Sequence, residues 1–285
     1  MESNGRKKTL KRYSYKSSLI FHAFTFGIFL VILFAPLIGF AQKNTLTHQN
    51  PIHKTAESEQ SRSHWGYLGI EGPQHWGMLT REYMTCETGS KQSPIDIPMQ
   101  GMSHRQETLD FYYNTSELHE MNNGHTIQVS HKTGCHVALN ERNYNLRQFH
   151  FHEPSEHHFD GKPFPMEMHL VHQDATGHIL VIAVMMEIGQ EHPVLKSLWD
   201  WLPDQIGKET SVPLKVSFRE ILPASTEHYS YSGSLTTPPC SEGVQWLVLT
   251  TPIKISEQSL KKFSAIIGDN ARPVQPLGNR PIEKN

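Results

Sequence analysis

Neither sign of charge dominates this sequence. Its 285 residues hold 26 lysines and arginines against 28 aspartates and glutamates, a formal net charge of -2. No strong basic patch is therefore available for a nucleic-acid partner. Internal repeats are absent, and the length suits one or two globular domains. Cysteine is scarce: with three residues, any pairing leaves one over. Histidine tracts are missing too. The 19 histidines are dispersed, which argues against a histidine-rich metal buffer.

The N-terminus has a different character from the rest. Arg6, Lys7, Lys8, Lys11, Arg12 and Lys16 stand against Glu2 alone, and an apolar run follows from Leu19 to Ala41. This pattern reads as an export signal, with Gly39 and Ala41 as the small residues ahead of cleavage before Gln42. An uncleaved membrane anchor over 19–41 is the alternative, since the run is long enough to span if Pro36 is tolerated. Cleavage would leave 244 residues with a formal charge of -7. Residues 42–62 are polar, hold few large apolar side chains, and read as a flexible spacer. A single β-rich domain is expected over 63–285.

Within that domain, strand signals outnumber helical ones. Residues 125–130, 145–152, 166–173, 179–189 and 244–253 are rich in β-branched and aromatic residues and are separated by Gly, Pro, Asn and Asp. Helices are expected over 191–206 and 256–267, the second capped by Ser256.

The stretch "QFHFHEPSEHH" (148–158) concentrates four histidines and two glutamates. On a strand, His150 and His152 share one face while Phe149 and Phe151 point to the other. His169 in "MEMHLVH" offers a third imidazole, with Glu167 on its face, and three protein ligands plus an open position describe a catalytic zinc site. Spacing alone leaves a second reading open, that the pair merely occupies a half-buried strand. A metalloprotease is excluded: "HEPSEH" is one residue too long for the HExxH helix, and Pro154 would break it.

Eight blocks, "HWGY" (64–67), "QSPIDI" (92–97), "NNGH" (122–125), "QFHFH" (148–152), "SEH" (155–157), "HLVH" (169–172), "GSLTTPP" (233–239) and "RPVQPLGNR" (272–280), resemble those of an α-class carbonic anhydrase of the exported bacterial type. Order and spacing agree over about residues 63–282. The resemblance implies a mainly β (α+β) fold: a large, twisted, mostly antiparallel central sheet with short peripheral helices. It implies zinc held by His150, His152 and His169, and reversible hydration of carbon dioxide to bicarbonate by a zinc-bound hydroxide. In that family the bound water has a pKa of about 7, a property for which the family is the standing example.

Further roles follow from the same resemblance. Thr236 corresponds to the residue that accepts the hydroxide's proton in a hydrogen bond and donates its own to a buried carboxylate, here Glu156. Gln148 would hold His150 and Glu167 would hold His169. Val171, Val181, Leu235 and Trp246, with Thr237, would line the substrate pocket, and each apolar one would equally pass for core. His125 would shuttle protons at the cleft mouth, while Tyr67, Asn123 and Gln128 would order cleft water. His157 is expected to be structural, His172 has the wrong strand parity to join His169, and His158 and His178 are expected at the surface. Two departures stand out: Glu153 replaces a tryptophan of vertebrate members, and Gln128 stands where many relatives carry Asn.

Cys86 and Cys240 occupy places bridged in many exported relatives, which leaves Cys135 free and buried. An oxidising compartment fits export, periplasmic or secreted. A catalytically silent binding module on the same fold is the rival expectation, although all three histidines, Thr236 and Glu156 are present. Carbon dioxide and bicarbonate are the expected partners, with membrane contact only through residues 19–41 if uncleaved; a homodimer is left open.

Overall fold

The computed structural model describes residues 64–285 other than Thr133. The expected signal or anchor (1–41) and spacer (42–62) lie outside the described residues. Among those described, no helix is long and apolar enough to cross a membrane.

A thirteen-stranded sheet dominates the fold. Its body runs in the spatial order Glu209–Ser217, Thr115–Asn122, Ile127–His131, Arg142–His152, Met166–Gln173, Ile179–Ile188, Glu242–Leu249 and His228–Ser234. Most neighbours are antiparallel; the pairing of Ile179–Ile188 with Glu242–Leu249 is parallel. The mainly β fold with short helices is therefore as expected.

Alternation along the central strands builds two cores. On one face Phe149, Phe151, Met168, Leu170, Leu180, Ile182 and Leu247 join a large cluster that includes Leu198, Trp199 and Phe263 from two helices. On the other, Val181, Ala183, Met185, Val244, Trp246 and Val248 form a second cluster with Tyr229 and Tyr231. Burial on both faces explains why 179–186 reads as an unbroken apolar run, whereas a strand with one wet face would alternate. The His150 and His152 side chains share the face of Val181 and Trp246, opposite Phe149 and Phe151.

Element boundaries differ from expectation where Pro and turn residues intervene. The first helix covers only Pro193–Trp199, because Pro203 and the polar turn after it cannot extend the helical bonds. The second spans Glu257–Ile266, with Ser256 Oγ accepting from Ser259 N as anticipated. Residues 244–253 divide into Glu242–Leu249 and the separate Ile253–Ile255 strand, Pro252 lying between.

One core-facing position breaks the apolar rule. Ser116, Leu118, Glu120 and Asn122 are the buried residues of Thr115–Asn122, and both carboxylate oxygens of Glu120 lack a hydrogen-bond partner. The buried indole N–H of Trp199 also lacks an acceptor. Burial raises the Glu120 carboxyl to about 8, against the charge of Lys262, whose ammonium donates to the Trp199 carbonyl. A folded pKa above the unfolded one means that the fold binds the proton more tightly. Stability therefore falls as pH rises from the ordinary 4.5 through about 8. At about 1.4 kcal/mol per pKa unit the loss is on the order of 5 kcal/mol. Replacing Glu120→Met should accordingly raise Tm over the parent by on the order of 10 °C at pH 9, and the difference should shrink toward pH 5. Thermal unfolding across that range is the check; a gap independent of pH would contradict the account.

Candidate metal centre

Strand register assembles the three histidines. Across the antiparallel pair Arg142–His152 and Met166–Gln173, His169 faces His150 and Glu167 faces His152. The ring centroids lie 5.0 Å apart for His150 and His152, 5.3 Å for His150 and His169, and 4.6 Å for His152 and His169. One ring nitrogen from each lies within 4.8 Å of the others.

The second nitrogen of each ring is already engaged. His150 Nδ1 lies 2.8 Å from Gln148 Oε1, His152 Nδ1 lies 2.8 Å from the Asn270 carbonyl, and His169 Nε2 lies 2.7 Å from Glu167 Oε1. All three acceptors demand an N–H, so the lone pairs fall on His150 Nε2, His152 Nε2 and His169 Nδ1. His152 Nε2 is buried without any hydrogen-bond partner, as a nitrogen awaiting a metal would be. Burial, then the neighbouring imidazoles, push His150 well below its ordinary pKa; burial likewise lowers His152, against the charge of Glu156. Burial alone would lower His169, but the charge and hydrogen bond of Glu167 outweigh it and raise the pKa. A second group within ligating distance, His157, Glu167 and His169, spends its atoms on mutual hydrogen bonds.

Glu167 is the pivot of this arrangement. Its Oε2 accepts from the backbone N–H groups of Glu156 and His157, at 2.7 and 2.8 Å, and its Oε1 from the rings of His157 and His169, each at 2.7 Å. Burial would raise this carboxyl, yet His157 and His169 hold it well below the ordinary carboxylate range. The chain continues from His157 Nε2 to the Tyr231 hydroxyl at 2.6 Å and on to Ser93 Oγ at 2.9 Å. His157 is thus buried and structural, as expected.

The threonine loop lies beside this chain. Gly233 begins it, where a Cβ would stand 2.1 Å from Ser93 Oγ, too close for any side chain. Thr236 is buried, and Thr237 reaches the cleft. Glu156 is buried: its Oε1 accepts the Arg272 N–H at 2.8 Å and lies 3.5 Å from His152 Nδ1, while its Oε2 has no hydrogen-bond partner. The expected bridge is present between Cys86 and Cys240, and Cys135 is free and buried. Closing 154 positions of chain, the bridge contributes roughly 5 kcal/mol in the chain-entropy account.

A cleft lined by Trp65, Tyr67, His125, Gln128, His150 and Thr237 opens from the cluster. His125 stacks on Trp65 at 3.7 Å between ring centroids, and burial followed by the nearby His64 lowers its pKa. Asn123 and Gln148 also border the cleft, and Asn123 Oδ1 accepts from His125 N and Thr126 N in the turn. Val171, Val181, Leu235 and Trp246 gather in one apolar cluster, with the Trp246 ring 4.9 Å from His169. His172 is buried against the Tyr113 hydroxyl at 2.6 Å, away from the three histidines, with burial drawing its pKa to about 3. His158 is half-buried, whereas His178 is exposed beside Arg142. Glu153, the departure after the second histidine, takes a 2.5 Å hydrogen bond from Ser264 Oγ.

Two contributors escaped sequence reasoning. Asn270 supports His152 through its carbonyl, and its amide donates to the carbonyls of His125 and Phe151, each at 3.0 Å. Arg272 fixes Glu156. Arg272 opens the "RPVQPLGNR" block and Asn270 lies two residues before it, but a carbonyl acceptor has no side-chain signature.

Two buried imidazoles, His152 and His169, and the half-buried His150, with converging free nitrogens beside an open cleft in a large sheet, fit the class of catalytic metal sites built from three protein ligands. The family described as eukaryotic-type carbonic anhydrase matches residues 71–285. A carbonic anhydrase from Pectobacterium carotovorum is 42% identical over 220 residues, 77% of this chain and 90% of that protein. One from Nostoc sp. is 40% identical over 233 residues, covering 80% and 88%. Among solved structures, the α-carbonic anhydrase of Thermovibrio ammonificans, in complex with sulfanilamide, is 42% identical with a TM-score of 0.76, over 78% of this chain and 99% of that one. The chain belongs to the α-carbonic anhydrase family and is an enzyme of that class.

The acceptor chain yields a measurable expectation. Replacing Glu167→Gln leaves a neutral group among four donors, so zinc affinity should fall by about 10- to 100-fold, as loss of outer acceptors does elsewhere. Competitive zinc titration of the two proteins is the check; unchanged affinity would show that Glu167 does not orient His169.

Proposed function

We propose that the protein hydrates carbon dioxide reversibly to bicarbonate and a proton, with zinc held by His150, His152 and His169. The observation that carries this reading is the forced tautomer of all three rings, whose lone pairs converge while Gln148, Asn270 and Glu167 hold their N–H groups. When bound, zinc supplies a Lewis acid that makes a water molecule acidic enough to ionise near neutral pH, the family's standing property.

The chain's own residues do the rest. Thr236, backed by the open Oε2 of Glu156, orients the nucleophile by accepting its proton in a hydrogen bond and donating its own. Val171, Val181, Leu235 and Trp246, with Thr237 at the edge, offer carbon dioxide the hydrocarbon surface that a small apolar molecule requires. His125 receives the released proton, since a histidine titrates in the useful range and this one borders the cleft. Export to the periplasm or beyond agrees with the Cys86–Cys240 bridge. The silent-module alternative gains no support, for the bacterial relatives at 40–44% identity bear the name carbonic anhydrase.

Zinc stoichiometry measured together with carbon dioxide hydration tests the proposal, with His169→Ala as the control. That variant should lose both, because two imidazoles hold zinc far less firmly than three; full zinc with full activity would overturn the site. Separately, His125→Ala should slow turnover in dilute buffer and recover on adding imidazole. Unchanged turnover in dilute buffer would remove the shuttle role.

A further inference from the structure

The "QSP" block has no part in the chemistry described so far, yet Gln92 and Ser93 grip the threonine loop at both ends. At the start, Ser93 N donates to Ser234 Oγ at 2.9 Å and Ser234 N donates to Ser93 Oγ at 3.1 Å. At the far end, Gln92 Nε2 donates to the Cys240 carbonyl at 3.1 Å. Cys240 needs holding: its φ of +57° lies in the left-handed region that a residue with a side chain adopts at a cost of about 1–2 kcal/mol. Such a conformation persists only where its surroundings over-determine it.

Arg272 in turn grips the dipeptide. Its Nη1 donates to Gln92 Oε1 at 2.9 Å and to the Ser93 carbonyl at 2.8 Å, and its Nη2 donates to the Cys86 carbonyl at 2.8 Å. Arg272 is 2% exposed, and its guanidinium carbon lies 5.7 Å from the Trp76 ring centre. A planar fork can reach three oxygens at once, which an ammonium cannot do in the same geometry. The backbone N–H of the same residue fixes Glu156. Arg272 therefore touches the support of the threonine loop on one side and, on the other, Glu156, the carboxylate that the proposed function assigns to Thr236.

We propose that Arg272 is a positioning residue: through Gln92 and Ser93 its guanidinium braces the threonine loop in parallel with the Cys86–Cys240 bridge. Either restraint holds the loop alone, and loss of both releases it. The brace is inferred on the reading that Thr236 orients the nucleophile, but its mechanical half, the pinning of residues 234–241, stands independently of activity.

The test is a double-mutant cycle on the full chain, pairing Cys86→Ser, which opens the bridge and keeps the Cys240 side chain, with Gln92→Met. Arg272→Lys in place of Gln92→Met gives a second, milder route, since it keeps the charge and loses the fork. Hydrogen exchange of amides 234–241 and kcat per bound zinc are read well below each Tm. Each single change should alter loop exchange and kcat by about threefold or less, whereas each pair should speed loop exchange and lower kcat by about 30-fold or more at full zinc occupancy. Zinc content and KM should hold. Losses in the pair that merely multiply those of the singles, or a fall in Tm with loop exchange unchanged, would overturn the brace. A parent with zinc but no hydration activity would overturn the proposed function, and the exchange data would still decide the brace.

Discussion

The backbone register between Arg142–His152 and Met166–Gln173 is the constraint on which the site depends. Pairing His169 with His150 and Glu167 with His152 places three imidazoles and their carboxylate acceptor on one face. Strand side chains alternate with a period of two, so a slip by one residue would send His169 and Glu167 to the opposite face and bring Met168 and Leu170 to the cleft. The apolar demand of the large core on Phe149, Phe151, Met168 and Leu170 opposes that slip. Core packing on one face thus enforces the geometry of the three histidines on the other.

Charge in the interior is tolerated only where it is answered. Glu167 carries four donors and is held ionised; Arg272 spreads its guanidinium over three acceptors. Glu120 has neither, and its environment favours the neutral acid. Two buried carboxyls in one sheet are therefore driven in opposite directions: both are removed from water, but only Glu167 has neighbouring imidazoles and four donors to answer its charge.

Rigidity around the cleft comes from contacts distant in sequence. Asn270 joins the His125 turn to the strand bearing His150 and His152; Ser93 and Gln92 join the N-terminal segment to the threonine loop. Glu153, which departs from the vertebrate pattern, is absorbed by Ser264 on the Glu257–Ile266 helix and leaves the three histidines untouched. Variation in the cleft wall is thus separated from the invariant requirement for three fixed rings.

Much was legible in sequence because it rests on local periodicity. Alternation in "QFHFH" and "MEMHLVH" placed the face shared by the three histidines, and the β-branched run at 179–189 announced a strand. Matching blocks identified the family and the Cys86–Cys240 pairing, which three cysteines alone leave open. Composition did not reveal which nitrogen of each ring is free, because that depends on Gln148, the Asn270 carbonyl and Glu167 arriving from three places in the chain. Nor did it reveal the isolation of Glu120, since a strand's alternation tells which way a side chain points but not whether a partner awaits it. Local pattern decides orientation relative to the sheet; only the folded packing decides hydrogen-bond partners, and through them protonation and chemistry.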